Sequence, residues 1–142
     1  MGGNGYESKD NTEEVLKKME AAIERGLRAI GMTAEGYAKD KITEAGAVDT
    51  GRLRNSITFA ISGEHANIQA YSGDNGEEGG TYSGNAPEEK DKAVYIGTNV
   101  EYAEGIETGS HRKAGAVHFL QDAATGHETE YKKLMEGSME NA

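Results

Sequence analysis

The stretch VYIGTNVEYAEGIETGSHRKAGAVHFL, residues 94–120, decides how this chain folds. Val94, Ile96 and Thr98 alternate with Tyr95 and Gly97, the period of two that a half-buried strand requires. The spacing predicts a short helix over 101–107, then a loop over 108–115. Phe119, Leu120, Ala123, Ala124, Tyr131, Leu134 and Met135 follow at helical spacing, with Gly126 as a weak point in that final helix. A strand, a short helix and a longer helix in immediate succession predict a mixed α+β domain.

Upstream, Leu16, Met19, Ile23, Leu27, Ile30, Ala34, Tyr37, Ala38, Ile42 and Ala45 recur at steps of mostly three and four, one stripe of a long helix. Asn11 is a suitable N-cap, with Glu14 as its capping-box partner. Unbroken, residues 12–45 would run about 51 Å at 1.5 Å per residue. Part of such a helix should meet something outside a small domain. Gly26, Gly31 and Gly36 interrupt the stripe and allow a kink near Gly31. Gly46 suits the position just past a helix end. Asp49 or Thr50 can then cap a short turn carrying Arg52 and Leu53. Ile57, Phe59 and Ile61 share one face of a strand, and Ala66, Ile68 and Ala70 one face of the next, so a β-hairpin turning at Gly63-Glu64-His65 is expected. Residues 73–92 hold five glycines, six acidic residues and the only proline, Pro87, and read as a long acidic loop.

The expected fold is therefore α+β. A long N-terminal helix and a small antiparallel sheet, a hairpin plus a third strand, carry a short helix and a C-terminal helix on one face. Residues 1–10 read as a flexible arm, 11–136 as one domain with the acidic Gly-rich loop at 73–92, and 137–142 as a flexible tail.

Composition narrows function by exclusion. Fifteen basic and 25 acidic residues give a net charge of −10. That disfavours non-specific binding to DNA, RNA or anionic lipid. It suits basic protein surfaces, a channel wall that DNA slides past, or simple solubility. With no Cys there is neither a disulfide framework nor thiolate chemistry. No run approaches the 18 apolar residues of a membrane span. The N-terminus has no apolar segment of the signal-peptide kind.

The chemistry sought is catalytic, metal-binding or cofactor-binding, and none is expected. His65, His111, His118 and His127 lack the spacing of a zinc site. Ser110-His111 adjacency lacks a nucleophile elbow. The Gly-rich run 73–84 lacks the Lys-Ser or Lys-Thr of a phosphate loop and the spacing of a calcium loop. Glu101, Glu104 and Glu107, three apart, read as one acidic helix face. Arg52, Arg54, Arg112 and Lys113 form two basic spots, suited to carboxylates of a neighbouring subunit. The acidic loop and short helix of a second copy supply such carboxylates, in a head-to-tail contact that a ring would close.

Two stretches carry a resemblance. Residues 48–57 read VDTGRLRNSI, and residues 94–103 read VYIGTNVEYA, followed by Ile106-Glu107-Thr108-Gly109-Ser110 and His118-Phe119-Leu120. In this order they resemble the tail-component and head–tail joining proteins of bacteriophages with long, non-contractile tails. The residues carrying the resemblance are Asp49, Thr50, Gly51, Leu53, Ser56, Gly97, Thr98, Tyr102, Ala103, Gly109, Phe119 and Leu120. The chain departs from the pattern in three places: His118 stands where Pro is usual, Ser110 follows Gly109 where Thr is usual, and the acidic loop 73–92 is long.

The resemblance implies a structural virion protein, not an enzyme. It would be assembled in the host bacterial cytoplasm and built into the neck or tail. It would form a ring, a hexamer, at the head–tail junction, between the head connector, adaptor or stopper protein and the tail tube or tail terminator. DNA would pass through the channel without specific binding, and no membrane would be involved. The rivals are a tail terminator, a minor capsid protein or, in another class, an acidic binding module that mimics DNA.

Overall fold

In the computed structural model the chain is built on one helix, α1 (Gly2–Glu44). The structure describes residues 2–46, 51–63, 69–71, 80–82, 86, 88, 91–110, 112 and 114–141. After α1 come α2 (Arg52–Ser56), β1 (Thr58–Ile61), β2 (Gln69–Tyr71), β3 (Gly80–Tyr82), β4 (Val94–Gly97), α3 (Ala103–Thr108), α4 (Phe119–Thr125) and α5 (Glu128–Glu140). The α+β expectation holds, with a long N-terminal helix, small antiparallel pairs of strands, a short helix and C-terminal helices.

Helix α1 is continuous through all its glycines, and the glycines explain its packing. A Cβ on Gly31 would stand 2.4 Å from the Phe59 ring of β1, and one on Gly26 would stand 2.6 Å from Sδ of Met135 in α5. Both are notches into which a neighbouring side chain sinks, so the helix runs unbroken past Gly31 and the expected weak points are seats. Ala22, Leu27, Ala34, Ala38 and Ile42 form the buried stripe. Three of these five are alanines, whose small side chains let sheet and helices approach closely. Beyond Glu44, Gly46 takes φ 68 and donates its N–H to the Thr43 carbonyl, as predicted for the helix end. At the other end the helix begins at Gly2, not at Asn11. Residues 2–10, expected as an arm, are helical backbone, because adding a residue to an existing helix needs no new nucleus.

The strand pairing differs from the hairpin expected. Strand β1 pairs antiparallel with β4, in the register Thr58 opposite Gly97 and Ile61 opposite Val94. Strand β2 pairs with β3, with Gln69 opposite Tyr82 and Tyr71 opposite Gly80. Alternation identifies strands but not their partners. Strand β3 also falls within the region read as a loop, 73–92; much of the remainder of that loop lies outside the described residues. Ser62 fastens the end of β1: its N–H and hydroxyl both reach the Ala93 carbonyl at 2.9 Å.

The core lies between α1 and the remaining elements. It gathers Ala34, Ala38 and Ile42 of α1 with Leu53, Ile57, Tyr71, Val100, Ala103, Val117, Phe119 and Ala123. Phe119 is the largest fully buried side chain; burying a ring of that size contributes about 1.5–3 kcal/mol. The final helix is split. Chain direction changes at Gly126-His127, where the His127 ring nitrogen meets the Asp122 carboxylate at 3.2 Å. Helix α5 then runs antiparallel to α1. His127 stacks on Tyr37 at 3.5 Å between ring centroids, Tyr37 donates to Glu130, and Ser138 donates to the Ala22 carbonyl at 2.5 Å. Tyr131 donates to the Ala123 carbonyl, and burial pushes its hydroxyl pKa up to about 12. Helix α5 continues to Glu140, so most of the expected tail is helical.

Candidate functional site

Of the residues singled out in the sequence, Gly51, Arg52, Leu53, Ser56, Thr98 and Glu101 converge on one place, the junction of α2, the end of the β1–β4 pair and the start of α3. Gly51 holds φ 74 at the entry to α2, a left-handed conformation that suits glycine. It occupies the cap position assigned to Asp49 or Thr50, which lie outside the described residues. Leu53 enters the core. Ser56 is buried, donates to the Leu53 carbonyl at 2.7 Å and bonds the Thr98 hydroxyl from the second motif stretch. The Thr98 hydroxyl also accepts the Val100 N–H at 3.1 Å, turning the chain out of β4. Tyr71 donates to Asn99 at 2.6 Å.

Arg52 and Glu101 form a bidentate pair, both bonds 2.9 Å, and the guanidinium lies 5.9 Å from the Tyr102 ring centre. The bond to Arg52 holds the Glu101 carboxyl below its ordinary range, and the bond to Glu101 raises the Arg52 pKa. The Glu101 side chain is 69% exposed, so the pair sits at the rim of the junction. Ala103 is buried and opens α3, while Tyr102 stands at its N-terminal cap position. Gly97 faces open space on the sheet.

The three glutamates read as one acidic face do three different things. Glu101 precedes α3 and binds Arg52. Glu104 is exposed. Glu107 reaches forward to α4, where its carboxylate accepts the N–H groups of Leu120 and Gln121 at 2.8 and 2.9 Å. No side chain at the α4 cap position itself does this, so α4 is capped from α3. A negative group there is also favoured by the helix dipole. The loop between them is closed by Val117 and His118 N–H groups bonding the carbonyls of Ile106 and Glu107. Gly109 is required in it: φ is 79, and a Cβ would stand 2.5 Å from the Ala116 backbone nitrogen. His118, at φ 53, enters α4 in a left-handed conformation. Proline, usual at this position by the resemblance, cannot adopt that φ. Phe119 is fully buried, and Leu120 packs against the core.

Of the remaining basic residues, Arg54 reaches the Thr43 hydroxyl at 3.4 Å and Arg112 binds the Gly115 carbonyl at 2.7 Å. Lys113, His65 and His111 lie outside the described residues. Among the described residues no group of three His, Cys, Asp or Glu could hold a metal ion. No described helix is long and apolar enough to cross a membrane.

Residues 7–109, more than half of the chain, match the family described as "Bacteriophage HK97-gp10, putative tail-component". The chain belongs to this HK97-gp10-like family. It is thus a structural tail-component protein of a bacteriophage of the long, non-contractile-tailed type, and its place is in the virion with other virion proteins. No curated protein and no solved structure matches it. The family span takes in both motif stretches and ends at Gly109. The cap from Glu107 therefore joins the family segment to helices α4 and α5 beyond it. Sequence spacing gave no sign of that cap, since a carboxylate on an exposed-looking helix face carries no mark of its partner.

Proposed function

We propose that this chain forms an oligomeric ring, a hexamer, at the head–tail junction or the head-proximal end of the tail, and that its work there is joining rather than catalysis. The observation that carries this reading is the use made of the motif residues. Ser56, Thr98, Arg52 and Glu101 bind one another, and Leu53, Ala103 and Phe119 fill the core. These are the tasks of a scaffold that presents surfaces. Arg54, Arg112 and Lys113 supply cationic contacts for the acidic segment 73–92 of the next subunit, a heterologous contact of the kind that closes rings. Arg52, already held by Glu101, belongs to the scaffold. The ring's neighbours are a head connector, adaptor or stopper protein on one side and the tail tube or terminator on the other. The net charge of −10 suits a channel through which DNA passes without binding. Assembly takes place in the host bacterial cytoplasm.

Deleting the gene from the phage tests this. Filled heads and separate tails should accumulate, and purified protein should restore joining in an extract. Negative-stain images of the assembled protein should show rings. Joined, infectious particles formed without the protein would end the reading.

A further inference from the structure

Helix α1 outruns the body it packs on. Helix α5 ends at Glu140, close to where Ser138 bonds Ala22, and every residue from Asn11 to Glu20 is exposed. Within that overhang Val15 is 54%, Leu16 52% and Met19 39% exposed. They are not scattered. Val15 and Met19 stand seven residues, or two turns, before Ala22 and Gly26, the positions on which α5 rests. The buried face of α1 thus continues uncovered past the end of α5.

The charges beside this face say what covers it. At 100° per residue, Val15, Leu16 and Met19 form a stripe about 100° wide. Glu13 and Glu20, seven apart, lie along one flank; Lys18 and Arg25, also seven apart, lie along the other. A second copy running antiparallel would set each flank against its own kind, Glu against Glu. A copy running parallel sets the acidic flank of one helix against the basic flank of the next, as in parallel coiled coils.

We propose that residues 11–20 are a self-association surface, on which the same segment of a second copy packs in parallel, apolar stripe against apolar stripe. This deepens the reading above: it rests on self-association, not on the neck position.

Sedimentation equilibrium of the full chain tests it. Leu16→Gln with Met19→Gln keeps helix propensity and should raise the dissociation concentration about tenfold or more. Lys18→Glu and Glu20→Lys should each weaken association by about threefold. Combining Glu13→Lys, Lys18→Glu, Glu20→Lys and Arg25→Glu reverses both flanks and should restore it. All six positions are exposed, and circular dichroism verifies that each variant is folded. A wild-type chain that stays monomeric, an unchanged dissociation concentration in the glutamine variant, or tighter association in Glu20→Lys would overturn the proposal. The neck reading fails separately, if particles join without the protein.

Discussion

Three glycines in one helix should answer the same substitution differently. Gly36 has nothing within 4 Å of a Cβ position, so Gly36→Ala gains only helix propensity, about 1 kcal/mol. Gly31→Ala gains the same amount and meets Phe59. The added carbon would lie 2.4, 2.6 and 2.9 Å from three ring atoms, where ordinary contact begins at 3.4 Å. The ring must retreat by about 1 Å, yet Phe59 sits on a strand held in register by β4 and flanked by fully buried Ile57 and Ile61. Overpacking of this kind costs about 1–3 kcal/mol. The clash wins, leaving Gly31→Ala about 1 kcal/mol less stable than the parent. Gly26→Ala meets the flexible end of Met135, which can swing aside, and should be close to neutral. Urea unfolding followed by circular dichroism suits a chain without Trp. All variants are compared at one protein concentration, because association shifts apparent stability. Phe59→Leu should recover part of the Gly31→Ala loss. If Gly31→Ala stabilises as much as Gly36→Ala, the notch reasoning is refuted.

Three other outcomes are expected. Glu107→Ala removes two hydrogen bonds and a favourable charge from the start of α4, and should cost about 2 kcal/mol, whereas Glu104→Ala should change little; equal effects in thermal unfolding would contradict the cap. Ser56→Ala should cost about 1–2 kcal/mol in the same assay, and Ser56→Ala with Thr98→Val less than the sum of the two singles. Because Arg52 holds the Glu101 carboxyl below its ordinary value of 4.5, the pair stabilises the fold above that pH and ceases to do so as pH falls through the lowered value. Melting curves of the parent and Glu101→Gln should therefore differ at pH 7 and converge in acid; a gap that widened in acid would reverse the sign.

Much of this was legible beforehand, and the exceptions have physical reasons. The stripe from Leu16 to Ile42 announced α1, because burial on one side of a helix forces that spacing. Its glycines looked like weaknesses, since propensity reports what a helix loses and not what a neighbouring ring gains. Alternation in residues 57–61 and 94–98 marked two strands correctly. It could not say that Thr58 faces Gly97, because pairing is decided by the packing of both strands on α1. The junction residues were recognised as scaffold, but the bonds from Ser56 to Thr98 and from Arg52 to Glu101 span more than forty positions, a distance no local pattern encodes. By helix propensity Gly126 reads as a weak point within one helix; with Asp122 and His127 beside it, it is a break between two.

The cap from Glu107 has a practical consequence. The loop after Gly109 is fastened at its base by backbone bonds from Val117 and His118, and the helix it leads into draws its cap from outside the loop. Lengthening a loop whose ends are already fastened costs little, about 0.6 kcal/mol for each doubling. An epitope or fluorescent label inserted next to Ala114, which is exposed at the turn, would leave that fastening in place. Beside Arg112 and Lys113, such a label would keep the fold and obstruct the contact proposed with the next subunit, so it separates folding from ring assembly.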